Sequence, residues 1–186
     1  LWSRGLGDVY KRQSQQSGIA PTIMEKDYWV CLTLDLLFAL PGLGEHLVFK
    51  GGTSLSKVYR LIERFSEDVD VSFHRDFLGF GDDHDPEAVT GQEQTRRLDA
   101  LQQACQDCIS EKLLPSLRKS MAERLGGIEG WTMKLDPKDA QTILFRYPQA
   151  GGQGLDYIAP AVRIELGARS DHWPSEEKPI LSYLSA

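Results

Sequence analysis

Between Phe49 and Phe73 a pair of glycines interrupts the chain, a stretch of helical spacing follows, and then carboxylates alternate with valines. His46-Leu47-Val48-Phe49-Lys50 reads as a short strand broken by Gly51-Gly52. Thr53 to Glu63 carries Leu55, Val58, Tyr59 and Ile62 at helical spacing, and Asp68 to His74 has the period-two signature of a strand. On such a strand Asp68 and Asp70 share one face, while Val69 and Val71 turn into the core.

The rest of the chain supplies partners for that unit. Ile23 to Leu40 is an apolar helix in which Thr22 is expected as N-cap, with Glu25 three residues on, and Pro41-Gly42 stops it. Asp76 to Gly91 reads as an exposed, flexible acidic loop. Gln92 to Leu125 reads as a long charge-balanced helical region interrupted before Pro115. Strands are expected around Trp131–Leu135, Thr142–Tyr147 and Ile158–Ala168, with a glycine turn from Gln149 to Leu155. The sum is an α/β (α+β) fold, a mixed twisted sheet flanked by helices.

Composition excludes several classes. The chain has 186 residues and a formal net charge of −6, so it is long enough for a core of its own and is not a basic nucleic-acid-coating protein. No apolar run approaches a membrane span. Three cysteines without a signal peptide fit a reducing, cytoplasmic setting. Cys105 and Cys108 form a C-x-x-C, but inside a helical pattern and without a second Cys/His pair, so they read as two thiols on a helix. His74, His84 and Asp82-Asp83-His84-Asp85 read as loop residues, Trp29, Trp131 and Trp173 as packing residues, and Arg96-Arg97 and Arg118-Lys119 as a solvated face.

The chemistry concentrates at the glycine turn and the acidic pair. Gly51 and Gly52 let the backbone approach a ligand closely, Thr53 and Ser54 add hydroxyls, and the following helix N-terminus favours phosphate. Two residues along a strand put the carboxylates of Asp68 and Asp70 about 6–7 Å apart. At an effective dielectric of about 20 their repulsion is roughly 2–3 kcal/mol, which a divalent cation between them would relieve. Magnesium suits such oxygen ligands.

Lys50-Gly51-Gly52-Thr53-Ser54-Leu55 with Arg64-Phe65-Ser66-Glu67-Asp68-Val69-Asp70 resembles the AbiEii/AbiGii toxin family, within the polymerase-beta-like nucleotidyltransferase superfamily. Glu25-Lys26-Asp27-Tyr28-Trp29-Val30 is similar to that family's N-terminal helix. The resemblance implies a third carboxylate on a later strand, matched by Glu165 in Val162-Arg163-Ile164-Glu165-Leu166. It implies that Asp68, Asp70 and Glu165 hold two magnesium ions and are catalytic, while Gly51, Gly52, Thr53, Ser54, Lys57 and Arg64 bind the nucleotide. It further implies a cytoplasmic toxin with a cognate antitoxin, transferring NMP from an NTP to an acceptor hydroxyl such as that of tRNA. A nucleotidyltransferase directed at protein or a small molecule, and a catalytically silent nucleotide-binding or interaction module, are the alternatives.

Two departures bear on domain organisation. Residues 3–13 resemble an in-frame translation of a sequencing-library adapter, so 1–13 are expected to be a scar and 14–186 a nucleotidyltransferase core truncated at both ends. Nothing after Ala168 matches the family's helical C-terminal half with its Phe-x-x-Lys segment, which is expected to be missing; the chain as given is then expected to be inactive or poorly folded.

Overall fold

The computed structural model describes residues 9, 12–15, 18–51, 68–148, 160–169, 179–180 and 182. Helix α1 (Pro21–Phe38) begins one residue before Thr22. Pro21 sets the start because its fixed φ suits the first helical position and its missing N–H is not needed there. Ala20 is the N-cap, and Thr22 therefore lies inside the first turn rather than capping it. The apolar run places Met24, Trp29, Val30, Leu34 and Leu37 in the core.

Strand β1 (Leu47–Lys50) pairs antiparallel with β2 (Asp68–Phe73). Helix α2 (Gly91–Cys108), a π turn (Ile109–Leu113) and helix α3 (Leu114–Leu125) form one continuous rod. A hairpin, β3 (Thr132–Asp136) and β4 (Asp139–Arg146), follows, and then β5 (Ala161–Gly167). The five strands lie in the order β1-β2-β5-β4-β3; β5 runs parallel to β2 and antiparallel to β4.

The interruption before Pro115 is therefore a π turn and not a break. Proline lacks an N–H and crowds the preceding turn, and a widened turn absorbs both effects without ending the helix. The buried residues Leu101, Cys105, Ile109, Leu113, Leu117, Met121 and Leu125 recur every four positions along the rod. In an unbroken α-helix a four-residue step overshoots a full turn by about 40°, so the stripe would wind away from the sheet. The wider π turn resets part of that drift. Alternate residues of the central strands meet this stripe and α1: Val69 and Val71 from β2, Ile143 and Phe145 from β4, Val162, Ile164 and Leu166 from β5. Trp29 stacks on Tyr147 at 5.4 Å and meets Phe145 edge-on, while Trp131 packs edge-on against Phe145, so both tryptophans serve packing.

The segment 76–91 is more ordered than its composition implies. It forms three short 3₁₀ turns, Asp76–Leu78, Asp82–His84 and Pro86–Ala88. Arg75, 3% exposed, pins it by donating to Asp85 (3.1 Å), to Glu87 (2.7 Å) and to the carbonyls of Ala168 and Arg169. Arg97 adds bonds to the carbonyls of Asp83 and Asp85. The Asp85 and Glu87 side chains, within the stretch read as an exposed loop, thus hold it down, because a buried guanidinium must find acceptors for its donors. Cys105 and Cys108 are buried on α2; burial pushes the Cys105 thiol up to about 11 and raises Cys108 as well. Among the described residues no helix is long and apolar enough to cross a membrane.

Candidate active site

The alternation that buries Val69 and Val71 leaves Asp68 and Asp70 on the opposite face of β2, away from the helices. The parallel register then sets β5 beside them, with Asp70 opposite Glu165 and Asp68 opposite Arg163. Two rows of partners cross the sheet. Lys50, Asp70, Glu165 and Thr142 form one; Asp68, Arg163, Leu144 and Lys134 form the other. The three carboxylates picked out in the sequence are thereby brought to neighbouring positions on adjacent strands, although Asp68 and Glu165 are 97 residues apart in the chain.

Gly51 closes β1 against this row. Its φ is +72°, in the left-handed region, and a β-carbon there would overlap the Asp70 carboxylate. Only glycine satisfies both demands, so the backbone of the turn is in contact with the acid. An open cleft of about 430 Å³ lies here, lined by Lys50, Gly51, Asp70, Asp139, Gln141 and Glu165 among others. Gln141 donates to the Leu166 carbonyl at 2.9 Å, and Asp139 accepts from the Thr142 hydroxyl at 2.6 Å, fixing the cleft's β4 wall. Gly52, Thr53, Ser54, Lys57 and Arg64 lie outside the described residues.

The electrostatics follow from the crowding. Partial burial, then the charges of Glu165 and Asp68, push the Asp70 carboxyl above the usual carboxylate range. Arg163 is the local answer to the excess negative charge. Its Nε lies 3.8 Å from Asp68, its Nη1 3.2 Å from Asp136 and its Nη2 3.4 Å from Glu165. Asp136 is held below the usual range by the Lys138 backbone N–H and further by Arg163. Sequence reasoning missed Arg163 and gave Lys50 no role. The available signal was position: Arg163 stands two residues before Glu165 on the same strand face, and Lys50 directly precedes the glycine pair.

The donor chemistry fits a hard divalent cation: carboxylate oxygens on one sheet face, one of them raised by its like-charged neighbours. The spacing does not close around an ion as it stands. Among the described residues no group of three His, Cys, Asp or Glu side chains is set to hold a metal, and Arg163 occupies Asp68 and Glu165.

A five-stranded mixed sheet, with helices packed on one face and acids on the other, is consistent with an α+β nucleotidyltransferase-like fold. Residues 35–186 match the family described as "Nucleotidyl transferase AbiEii toxin, Type IV TA system", and the chain belongs to that family. The family suggests a nucleotidyltransferase toxin and implies an antitoxin partner. No curated protein and no solved structure matches the chain.

Proposed function

We propose that the chain carries a metal-dependent nucleotidyltransferase site that moves NMP from an NTP to an acceptor hydroxyl, with a tRNA end as the acceptor. The observation that supports this most is the register pairing Asp70 with Glu165, next to a glycine whose backbone meets the Asp70 carboxylate. Asp68, Asp70 and Glu165 would hold magnesium, which when bound supplies positive charge to balance charge building up on phosphoryl oxygens. The protein's own groups position the reactants. Gly51 opens room at the turn, and Lys50 stands in the same row as Asp70 and Glu165, suited to a phosphate oxygen. Gly52, Thr53, Ser54, Lys57 and Arg64 complete the nucleotide-binding turn in this reading.

A catalytically silent nucleotide-binding module is the second reading, and the Arg163 contacts favour it, since they neutralise carboxylates that a metal would otherwise require. Incubation with magnesium, each labelled triphosphate, bulk RNA and cell lysate separates the two. Label on RNA, lost in Asp70→Ala, is the expected result. Label on protein moves the acceptor to a side chain, and no transfer with any triphosphate leaves the silent module.

A further inference from the structure

Arg163 makes three ion pairs with three different nitrogens, and they are unequal. The Asp136 contact is the shortest at 3.2 Å, and the Asp136 side chain is 12% exposed, against 45% for both Asp68 and Glu165. Asp136 is itself fixed: one of its oxygens accepts from the Lys138 backbone N–H at 2.9 Å, and the other receives Arg163. The guanidinium therefore has one sheltered anchor on β3 and two longer, less sheltered contacts on the proposed metal ligands. Half-buried contacts of 3.4–3.8 Å exchange more readily, so the anchored one can persist while the other two break.

We infer that Arg163 is a positioning residue: an internal counter-cation that holds Asp68 and Glu165 ready in the metal-free chain and yields them to a divalent cation while Asp136 retains it. This rests on the metal-dependent reading above. It accounts for two features together: a carboxylate set of the right chemistry that does not close around an ion, and an arginine placed in register with the acids. No bond is made or broken; one cation replaces another between the same carboxylates. A consequence is that Arg163 competes with metal, so weakening its grip tightens metal binding. Loss of net charge alone would act in the same direction, but Arg163→Lys keeps the charge and loses the planar fork that spans three carboxylates.

The decisive measurement is Mn²⁺ binding, by titration calorimetry or by the free-ion electron paramagnetic resonance signal, without nucleotide. Wild type, Arg163→Lys, Arg163→Met and Asp70→Asn are compared at one ionic strength. The inference expects tightening of roughly threefold in the lysine variant and roughly tenfold in the methionine variant. It also expects a lower melting temperature for metal-free Arg163→Met, reversed by Mn²⁺. Binding unchanged or weakened in Arg163→Lys overturns the inference, even if Arg163→Met binds more tightly, because charge alone would then suffice. That outcome leaves the metal reading intact as long as wild type binds and Asp70→Asn does not. Absence of Mn²⁺ binding in both wild type and Arg163→Met removes the metal reading, and the inference with it.

Discussion

Asp70 and Gly51 are coupled by contact, and each has a measurable signature. A carboxyl raised above its ordinary value binds its proton more tightly in the folded chain, so its contribution to stability is greatest in acid and is lost as pH rises through the raised value. At neutral pH the charged Asp70 is a net cost. Asp70→Asn is therefore expected to stabilise the metal-free chain by about 0.5–1 kcal/mol, after allowing for solvent screening of a half-buried group. That is a gain of roughly 1–4 °C in Tm, accompanied by loss of nucleotide transfer; a lower Tm would refute the account of the site's electrostatics. Gly51→Ala meets both a left-handed backbone and the Asp70 side chain, with that residue's β-carbon 2.7 Å from the added methyl. Its cost is expected at about 2 kcal/mol or more, and to shrink in an Asp70→Ala background, because the carboxylate is then gone. Additivity in that double-mutant cycle would show that the contact is not what makes glycine necessary. Arg75→Ala strips a buried hub of two carboxylates and two carbonyls and is expected to cost about 2–4 kcal/mol, read as an early urea midpoint.

The rod formed by α2, the π turn and α3 shows how far local pattern carries. A widened turn holds one residue more than an α-turn, so deleting Ser110, an exposed residue within it, would rotate α3 by about 100° against α2. Leu117, Met121 and Leu125 would leave the core, and the deletion is expected to be insoluble or molten, while Ser110→Ala melts within about 1 °C of wild type. A folded deletion variant with near-native Tm would mean that the π turn is incidental. The strands and α1 were legible because their apolar spacing is strong and a single face is buried. The π turn was not, because proline signals an interruption without saying how the chain accommodates it. The order of the fold at Ala20–Thr22 turned on proline geometry outweighing a favourable capping residue. Asp68 and Asp70 could be placed on one face from spacing alone. That Glu165 stands opposite Asp70 is a matter of parallel pairing between distant segments, which no local pattern encodes; the family resemblance, not periodicity, singled it out. Arg163 escaped notice because basic residues on strands are usually solvated, and its three acidic partners come from three different strands.

Across the whole molecule the charge balance argues that metal and nucleotide must bind together. The chain carries a net charge of −6, and among the described residues its candidate site gathers Asp68, Asp136 and Glu165 around the Arg163 guanidinium, with Asp70 beside Glu165. A triphosphate approaching this face without metal meets like charge, and the screening length of about 8 Å at physiological salt does not hide charges this close. Lys50 offsets only part of the repulsion. A divalent cation held by the carboxylates reverses the local sign, so magnesium should raise the affinity for triphosphate, and by linkage the triphosphate must raise the affinity for magnesium by the same factor. In thermal melts, triphosphate with chelator is therefore expected to leave Tm unchanged. Magnesium alone should give a small rise, and the two together a shift larger than the sum of the separate ones. At about 100 times the dissociation constant the combined ligand is worth about 2.7 kcal/mol, or roughly 5–10 °C for a chain of this size. Asp68→Asn should abolish the synergy, since it removes a carboxylate the cation needs without touching the glycine turn. A triphosphate shift of equal size with chelator and with magnesium would instead place nucleotide binding on the turn alone, and would leave the acids on β2 and β5 serving only Arg163.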